Sequence, residues 1–186
     1  MSTARRYRHT YDEYLKLGAE SPLKLEFSDG EIFAMAGGTP EHGALAMQLV
    51  VLVAPLLPAG YRTFSSDVKV RVVVTDLGTY PDLSVVCGPI ERAEDDRNAI
   101  TNPRFLFEIT SPSTEEYDRG DKLSQYKQLA SLEAVYLISH RRKEITVVRR
   151  EPSGFTEKVF RGGEQAPLLG ASVDVDALYS VLQDLG

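Results

Sequence analysis

The sequence predicts an α/β fold, more narrowly an α+β arrangement in which helices flank a central mixed β-sheet. Three observations support this prediction. An apolar stretch at 43–57 follows a helix start signal, residues 61–110 are rich in strand formers, and the chain then returns to a helical pattern and another apolar strand. Elements of this kind bury their apolar faces by packing helices on a sheet.

The first predicted elements are a short helix and a β-hairpin. Thr10 can cap a helix that Gly18 can end. Apolar and charged residues alternate at 23–27, which predicts a half-buried strand. Asp29-Gly30 then predicts a tight turn into a second strand at 32–35.

The second predicted helix begins at Thr39. A capping hydroxyl, a proline in the first turn and then Glu41 are the usual order at a helix start. We expect this helix to run to about residue 57 and to be largely buried, with Pro55 kinking or ending it.

The following block predicts four strands, at 61–64, 68–74, 83–87 and 104–110, with an exposed polar loop at 88–103. A helix is expected from Thr114 or Asp118 to about Ala130. It is followed by a buried strand at 135–138, a hairpin at 145–148 and 155–160, and a short helix at 174–182. Neither repeats nor linkers interrupt the sequence. We therefore expect one domain over residues 1–186, with its core at about 20–150 and a carboxyl-terminal hairpin and short helix at 144–186.

Composition excludes several classes of protein. The chain has 186 residues, 42% of them hydrophobic and 26% charged, with a net charge of -6, which argues against coating nucleic acid by bulk charge. A single cysteine, Cys87, excludes an intramolecular disulfide and a cysteine-based zinc site. No stretch has the roughly 20 apolar residues of a membrane span, and no export signal is apparent. These features predict a cytoplasmic chain without a membrane segment.

Two carboxylates occur where strand packing does not require them. Asp82 follows Pro81 at the start of one predicted strand, and Glu108 lies near the end of another. A buried carboxylate is costly unless it is paired, hydrogen-bonded or bound to metal. Mg²⁺ and Mn²⁺ prefer oxygen ligands from one or two carboxylates, so the two acids suggest a shared divalent cation. Alternatively, Asp82 shapes the turn after Pro81 and Glu108 pairs with a surface lysine.

Two runs around Glu108 match a known pattern. They are residues 107–114 (FEITSPST) and 117–126 (YDRGDKLSQY). Together with Pro81-Asp82, and with residues 25–32, 40–43 and 136–138, they resemble the Uma family of restriction endonucleases, within the PD-(D/E)XK nuclease superfamily. The resemblance covers roughly residues 10 to 150.

The resemblance implies a restriction-endonuclease-like fold, a DNA substrate and phosphodiester hydrolysis with Mg²⁺ or Mn²⁺. It makes Asp82 and Glu108 the metal ligands. The superfamily pattern has a lysine two residues after the second acid, whereas this chain has Thr110. A threonine lacks the positive charge that stabilises developing charge on phosphate. Members resembling this chain place that lysine on the following helix, which here implies Lys122.

Lys122 and His42 also have structural interpretations. Lys122 could form an exposed helical pair with Asp118, four residues earlier. His42, at the start of the buried helix, could orient a metal-bound water or contact phosphate, or could be a structural histidine. Tyr126 is expected in the core.

Two groups of cations could contact DNA phosphates or instead protect exposed strands from aggregation. The first comprises Arg141, Arg142, Lys143, Arg149 and Arg150, and the second comprises Arg5, Arg6 and Arg8.

The leading hypothesis is a metal-dependent DNA endonuclease that uses Asp82, Glu108, Lys122 and His42; its superfamily also suggests a homodimer. The alternative is a catalytically inactive protein that keeps the fold as a binding or assembly module, because Thr110 replaces the expected lysine. A carboxylate-pair hydrolase acting on sugars is less favoured, since the chain has no tryptophan for an aromatic platform.

Overall fold

Two β-sheets and the helices packed on them form most of the protein, whose computed structural model describes residues 7–35, 37–183 and 185. The fold is mixed α+β, as the sequence predicts. The helices are α1 (Tyr11–Glu20), α2 (Pro40–Val53), α3 (Glu115–Tyr117), α4 (Leu123–Tyr126) and α5 (Val175–Tyr179), and a π turn at Asp118–Lys122 joins α3 to α4. Short 3-10 turns lie at Ala54–Leu56, Val73–Thr75 and Ser180–Leu182.

The strands lie between these helices along the chain, several of them in succession. They are β1 (Leu25–Ser28), β2 (Glu31–Ala34), β3 (Tyr61–Ser65), β4 (Lys69–Val72), β5 (Leu77–Thr79), β6 (Leu83–Cys87), β7 (Ala99–Ile100), β8 (Pro103–Ile109), β9 (Ala134–Ile138), β10 (Glu144–Glu151), β11 (Gly154–Arg161), β12 (Gln165–Leu168) and β13 (Ala171–Asp174). Strands β12 and β13 form a separate two-stranded sheet.

The larger sheet has six strands in the order β11-β10-β9-β8-β6-β3. Its central pair, β8 and β9, is parallel, and the remaining pairs are antiparallel. Alternate residues of β8 point to opposite faces of the sheet. Phe105 and Phe107 join the core that contains the buried face of α2, whereas Leu106 joins the core that contains Leu123 and Tyr126 of α4. This alternation points Glu108 towards α4.

The smaller sheet has five strands in the order β2-β1-β5-β4-β7, and β4 pairs with β7 in parallel. Helix α1 packs on it through Tyr11 and Tyr14, which surround Phe27 of β1. Strand β5 ends at Thr79, so Tyr80 and Pro81 carry the chain from the smaller sheet into β6 of the larger one. The sequence predicts one sheet, and the structure has two main sheets that meet at this connection.

The two amino-terminal helices differ from the predictions in extent and burial. Helix α1 continues through Gly18 to Glu20. Helix α2 ends at Val53, and Pro55 lies in the 3-10 turn that follows, because proline lacks the amide proton that a helix interior needs. The prediction that α2 is largely buried is wrong, since Met47 and Val51 are 66% and 60% exposed and only one face packs on the larger sheet.

The segment 88–103 is exposed at most of its polar residues, as predicted, but it is not only a loop. It contains β7, and Asp96 is buried against the Lys69 ammonium at a distance of 2.6 Å. Asp95 contacts the Arg71 guanidinium at 2.9 Å. The acidic run therefore neutralises cations that β4 carries into the interior.

The predicted helix from about 114 to 130 ends at Tyr126 in the structure and contains the π turn. In β4, the strand stops at Val72, two residues earlier than predicted, where a 3-10 turn begins. Strands β12 and β13 carry no strong alternation and are absent from the predictions. Among the described residues, no helix is both long enough and apolar enough to cross a bilayer.

Candidate active site

The two predicted acids lie at the same edge of the larger sheet. Strands β6 and β8 are antiparallel, with Leu83 opposite Phe107, so Asp82 at the start of β6 lies beside the end of β8. The Ile109 amide donates a hydrogen bond of 2.7 Å to Oδ2 of Asp82. Antiparallel pairing of the two motif strands is therefore what brings Asp82 next to Glu108.

Glu108 is buried and strongly perturbed. Its Oε1 accepts a hydrogen bond of 2.5 Å from the Tyr126 hydroxyl and lies 3.0 Å from the Lys122 ammonium. Burial raises the pKa of Glu108 to about 8; the charges of Asp82 and Asp118 also raise it, and Lys122 opposes them. In the absence of a further cation, burial thus favours the protonated carboxyl of Glu108, and the Lys122 ammonium favours the ionised one.

Lys122 points into this site from the π turn. Its ammonium lies 3.0 Å from Glu108, 3.6 Å from Glu26 and 3.7 Å from Asp118. Burial lowers the pKa of Lys122, but the surrounding acids raise it well above its ordinary value, so the ammonium stays charged. The alternative of an exposed Lys122–Asp118 pair is wrong, because both side chains are buried.

His42 approaches the acids from the start of α2. The Thr39 side chain caps this helix by accepting from the His42 amide at 3.3 Å. The His42 Nε2 atom lies 3.4 Å from Oδ1 of Asp82. This contact raises the pKa of His42 even though burial opposes it. The helix cap thus places an imidazole against the first acid.

Glu26 of β1 is a member of the site that sequence reasoning missed. Its Oε1 accepts from the Thr79 hydroxyl and, at 3.2 Å, from the Tyr80 amide. It also faces Lys122, as described above. In the sequence Glu26 is one charged residue in an alternating strand, which predicts only a polar face. The turn at Asp29-Gly30, which pairs β1 with β2, gives no sign that the chain returns at Thr79.

The position two residues after Glu108 does not contribute to this group. Thr110 is buried, and its hydroxyl lies 3.4 Å from the Ile138 carbonyl and 3.1 Å from Nδ1 of His140. Tyr126 is buried as predicted, and it also holds Glu108, which the sequence does not indicate. The positively charged group beside Glu108 is therefore the Lys122 ammonium, which comes from the π turn and not from position 110.

The first predicted basic cluster is engaged within the protein. Arg150 donates to three main-chain carbonyls beyond α4, those of Leu132, Leu129 and Lys127, at 2.8, 2.7 and 3.1 Å. The other contacts are Arg142 with Glu144, Lys143 with Asp176, Arg141 with Glu115, and Arg149 with the Pro167 carbonyl. Of the second cluster, Arg8 pairs with Asp29, and Arg5 and Arg6 lie outside the described residues.

The donor set matches the chemistry of a hard divalent cation. Carboxylate oxygens of Asp82 and Glu108 are the ligands that Mg²⁺ and Mn²⁺ prefer, and one or two carboxylates suffice when water and substrate complete the shell. Within the described ranges, no group of three or more histidine, cysteine or acidic side chains is arranged to hold a metal. Asp82 and Glu108 are therefore the candidate protein ligands for such a cation.

Comparisons with known proteins agree with this description. A family model described as "Putative restriction endonuclease" (Uma2) matches residues 11–176. Two relatives come from Synechocystis. "Uncharacterized protein slr1290" is 33% identical over 172 residues, covering 90% of each chain, and "Uncharacterized protein sll1609" is 28% identical over 130 residues, covering 69% of this chain and 73% of the other.

A solved structure shares the fold. It is a putative nuclease belonging to DUF820 from Anabaena variabilis, with a TM-score of 0.73 and 21% identity, covering 92% of this chain and 97% of that one. This likeness confirms the predicted fold class. With the family model spanning most of the sequence, the chain belongs to the Uma2 family, described as "Putative restriction endonuclease".

Proposed function

We propose that the protein is a divalent-metal-dependent endonuclease that hydrolyses phosphodiester bonds in DNA. Membership of a nuclease family supports the reaction class. The observation that carries the finer proposal is the Lys122 ammonium, held 3.0 Å from Glu108. A buried cation beside two candidate metal-binding acids is the arrangement that phosphodiester hydrolysis needs.

Asp82 and Glu108 would hold Mg²⁺ or Mn²⁺, which when bound polarises a phosphoryl oxygen and lowers the pKa of a bound water. The protein fixes Asp82 in advance through the Ile109 amide on one oxygen and His42 on the other. Glu108 is held by Tyr126 through Oε1 and would be ionised as a metal ligand.

Lys122 would stabilise the negative charge that develops on the scissile phosphate. An ammonium already fixed by three carboxylates needs little reorganisation, and its effect is strongest where water is excluded. Glu26 and Asp118 are then positioning residues, because they hold Lys122 without lying among the proposed metal ligands. His42 positions Asp82 in the same sense.

A specific observation favours the second candidate, an inactive binding or assembly module. The Lys122 ammonium offsets part of the negative charge of Glu108, Glu26 and Asp118 without any metal. A protein that had lost catalysis could keep this ion-paired cluster around Lys122 for its contribution to stability. The expected homodimer is compatible with either function.

Supercoiled plasmid incubated with Mg²⁺ or Mn²⁺ separates the two functions. We expect nicking and linearisation that stop when a chelator is added and that are lost in Asp82→Asn. A folded RNA in parallel reactions should be cut more slowly than the plasmid. A wild-type protein that binds DNA yet leaves it intact with both metals, at low and moderate salt, would contradict the endonuclease and favour the module.

A further inference from the structure

A cavity of about 600 Å³ opens beside the candidate active site. Its walls come from α1, from residues 23–25 and 64–69, from Tyr80 and from the segment 90–100. Its volume falls within the roughly 300–1,000 Å³ that is usual for small-molecule sites. Asp82, Glu108 and Lys122 do not line it, so the cavity is separate from these residues.

Tyr80 connects the cavity to the active site. Its ring lines the cavity, while its amide donates to Glu26, which faces Lys122. Lys24 provides a second connection. The Met35 amide donates to the Lys24 carbonyl at 2.9 Å, so strand pairing extends to residue 24 and places Lys24 on the same face as Glu26. A ligand bound at Lys24 would thus lie two residues along the strand from Glu26, which contacts Lys122.

The cavity is lined by aromatic side chains and by a lysine whose carboxylate partner is exposed. The Lys24 ammonium lies 5.0 Å from the centre of the Tyr80 ring, and Phe64 also lines the cavity. Lys24 contacts Asp67 at 3.0 Å, but the Asp67 side chain is 85% exposed, and an exposed pair of this kind contributes little. Lys24 also donates to the Ser66 carbonyl at 2.8 Å, which holds the ammonium in place while an incoming phosphate takes the place of Asp67.

Other polar groups define the remaining surface. The buried pair of Lys69 and Asp96, at 2.6 Å, satisfies its own charges and forms a neutral wall. Asn98 is exposed and lines the same cavity. Its side-chain amide offers a donor and an acceptor, which is the combination that recognises the edge of a nucleobase.

We propose that this cavity binds one nucleotide of the substrate strand, with its phosphate at Lys24 and its base against Phe64. Aromatic faces next to cations are what proteins use to hold single-stranded nucleic acid. Asn98 contacts the edge of the bound base. The assignment to a substrate strand rests on the proposed nuclease function, whereas nucleotide binding by the cavity does not.

The test measures binding by the full chain in chelator, so that no cleavage intervenes. The probes are a 5′-mononucleotide, the matching nucleoside and a short single-stranded oligonucleotide. Ala19→Trp fills the cavity from the exposed side of α1, and Leu17→Trp places the same ring on that helix at a position that does not line it. Lys24→Gln removes the proposed phosphate contact.

We expect Ala19→Trp to weaken binding of the mononucleotide and the oligonucleotide by about tenfold or more, given the usual contribution of base stacking. Leu17→Trp should bind like wild type, and Lys24→Gln should weaken the mononucleotide but not the nucleoside. Undetectable mononucleotide binding by wild type, or binding unaffected by Ala19→Trp, would overturn the site. Oligonucleotide binding that ignores Ala19→Trp would overturn the assignment to a substrate strand.

Cleavage is scored separately on plasmid DNA with Mg²⁺. A protein that binds the nucleotide in the cavity but cuts nothing would contradict the proposed nuclease and leave the nucleotide site in place. A protein that cuts DNA but binds no nucleotide would contradict the nucleotide site and leave the proposed nuclease function in place.

Discussion

Lys122 brings an ammonium group to Glu108 from a helix, whereas the strand position two residues after Glu108 is a buried threonine. The motif match was needed to single out Lys122, because a lysine four residues after Asp118 equally suggests an exposed ion pair. Glu26 could not be predicted, since its role depends on Thr79 and Tyr80, which are distant in sequence. Whether Asp82 and Glu108 bind metal stays a prediction.

The stability of the metal-free protein should fall as the pH rises from 4.5 to about 8. The pKa of Glu108 is raised from 4.5 to about 8, so the unfolded chain loses this proton at lower pH than the folded protein does. The stabilising contribution is fully present below pH 4.5 and is lost through about pH 8. The raised pKa values of Asp118 and His42 act in the same direction.

Melting temperatures measured in chelator across this pH range would show the effect. Glu108→Gln should flatten the decline, because the amide remains neutral at every pH. An unchanged slope in Glu108→Gln would show that Glu108 does not hold the extra proton.

Metal affinity should rise with pH up to about 8, in the opposite direction to apo stability. A cation bound by Glu108 displaces its proton, so binding is weaker wherever the carboxyl is protonated. Calorimetric titration with Mn²⁺ in buffers of different ionisation enthalpy would count the released protons. Proton release near zero at pH 7 would argue that the metal avoids Glu108.

At the scale of elements, helix starts were predictable and helix interiors were not. Thr10 and Thr39 cap α1 and α2 as their sequences indicate, because capping depends on a few adjacent residues. The π turn at Asp118–Lys122 has no signature in the sequence, although such turns are frequent at functional sites. It places Asp118 and Lys122 together in the interior. Strands β5 and β7 were missed because they are three and two residues long.

The cap of α2 should matter for activity as well as for stability. Thr39→Ala is expected to cost about 1 kcal/mol of stability and also to lower the cleavage rate, because His42 is the residue whose amide Thr39 holds. Thr10→Ala removes the equivalent cap of α1 and is the matched control. Thermal unfolding and plasmid cleavage of both variants test this. Equal cleavage rates in the two variants would show that the placement of His42 does not affect cleavage.

At the scale of the whole molecule, the predicted fold class is right but the sheet is divided in two. The prediction of one sheet failed because alternation patterns identify strands without saying which strands pair. Two charged pairs, of which Lys69–Asp96 is buried, join β4 to the segment 88–103, and acidic residues in such a segment look like a loop in the sequence. That residues 1–186 form one domain stays a prediction.

Arg150 should contribute to stability by joining the end of α4 to the larger sheet. Its guanidinium donates to three carbonyls, and because Arg150 is exposed each hydrogen bond contributes only about 0.5–1.5 kcal/mol. Arg150→Ala should therefore lower the melting temperature by several degrees. The neighbouring Arg149→Ala, which loses a long hydrogen bond to the Pro167 carbonyl and a contact with the Tyr136 side chain, should change it less. Similar melting temperatures for the two variants would refute this role.

The most direct test of the metal-dependent active site is the initial rate of plasmid cleavage in Mg²⁺ by Glu108→Gln and Glu144→Gln. Both substitutions replace a buried carboxylate by a neutral group of the same shape, but only Glu108 adjoins Asp82 and Lys122. We predict a loss of at least about a hundredfold in Glu108→Gln, as for other groups that stabilise charge in a transition state. Glu144→Gln should cleave at nearly the wild-type rate. Wild-type cleavage by Glu108→Gln would contradict the assignment of this site.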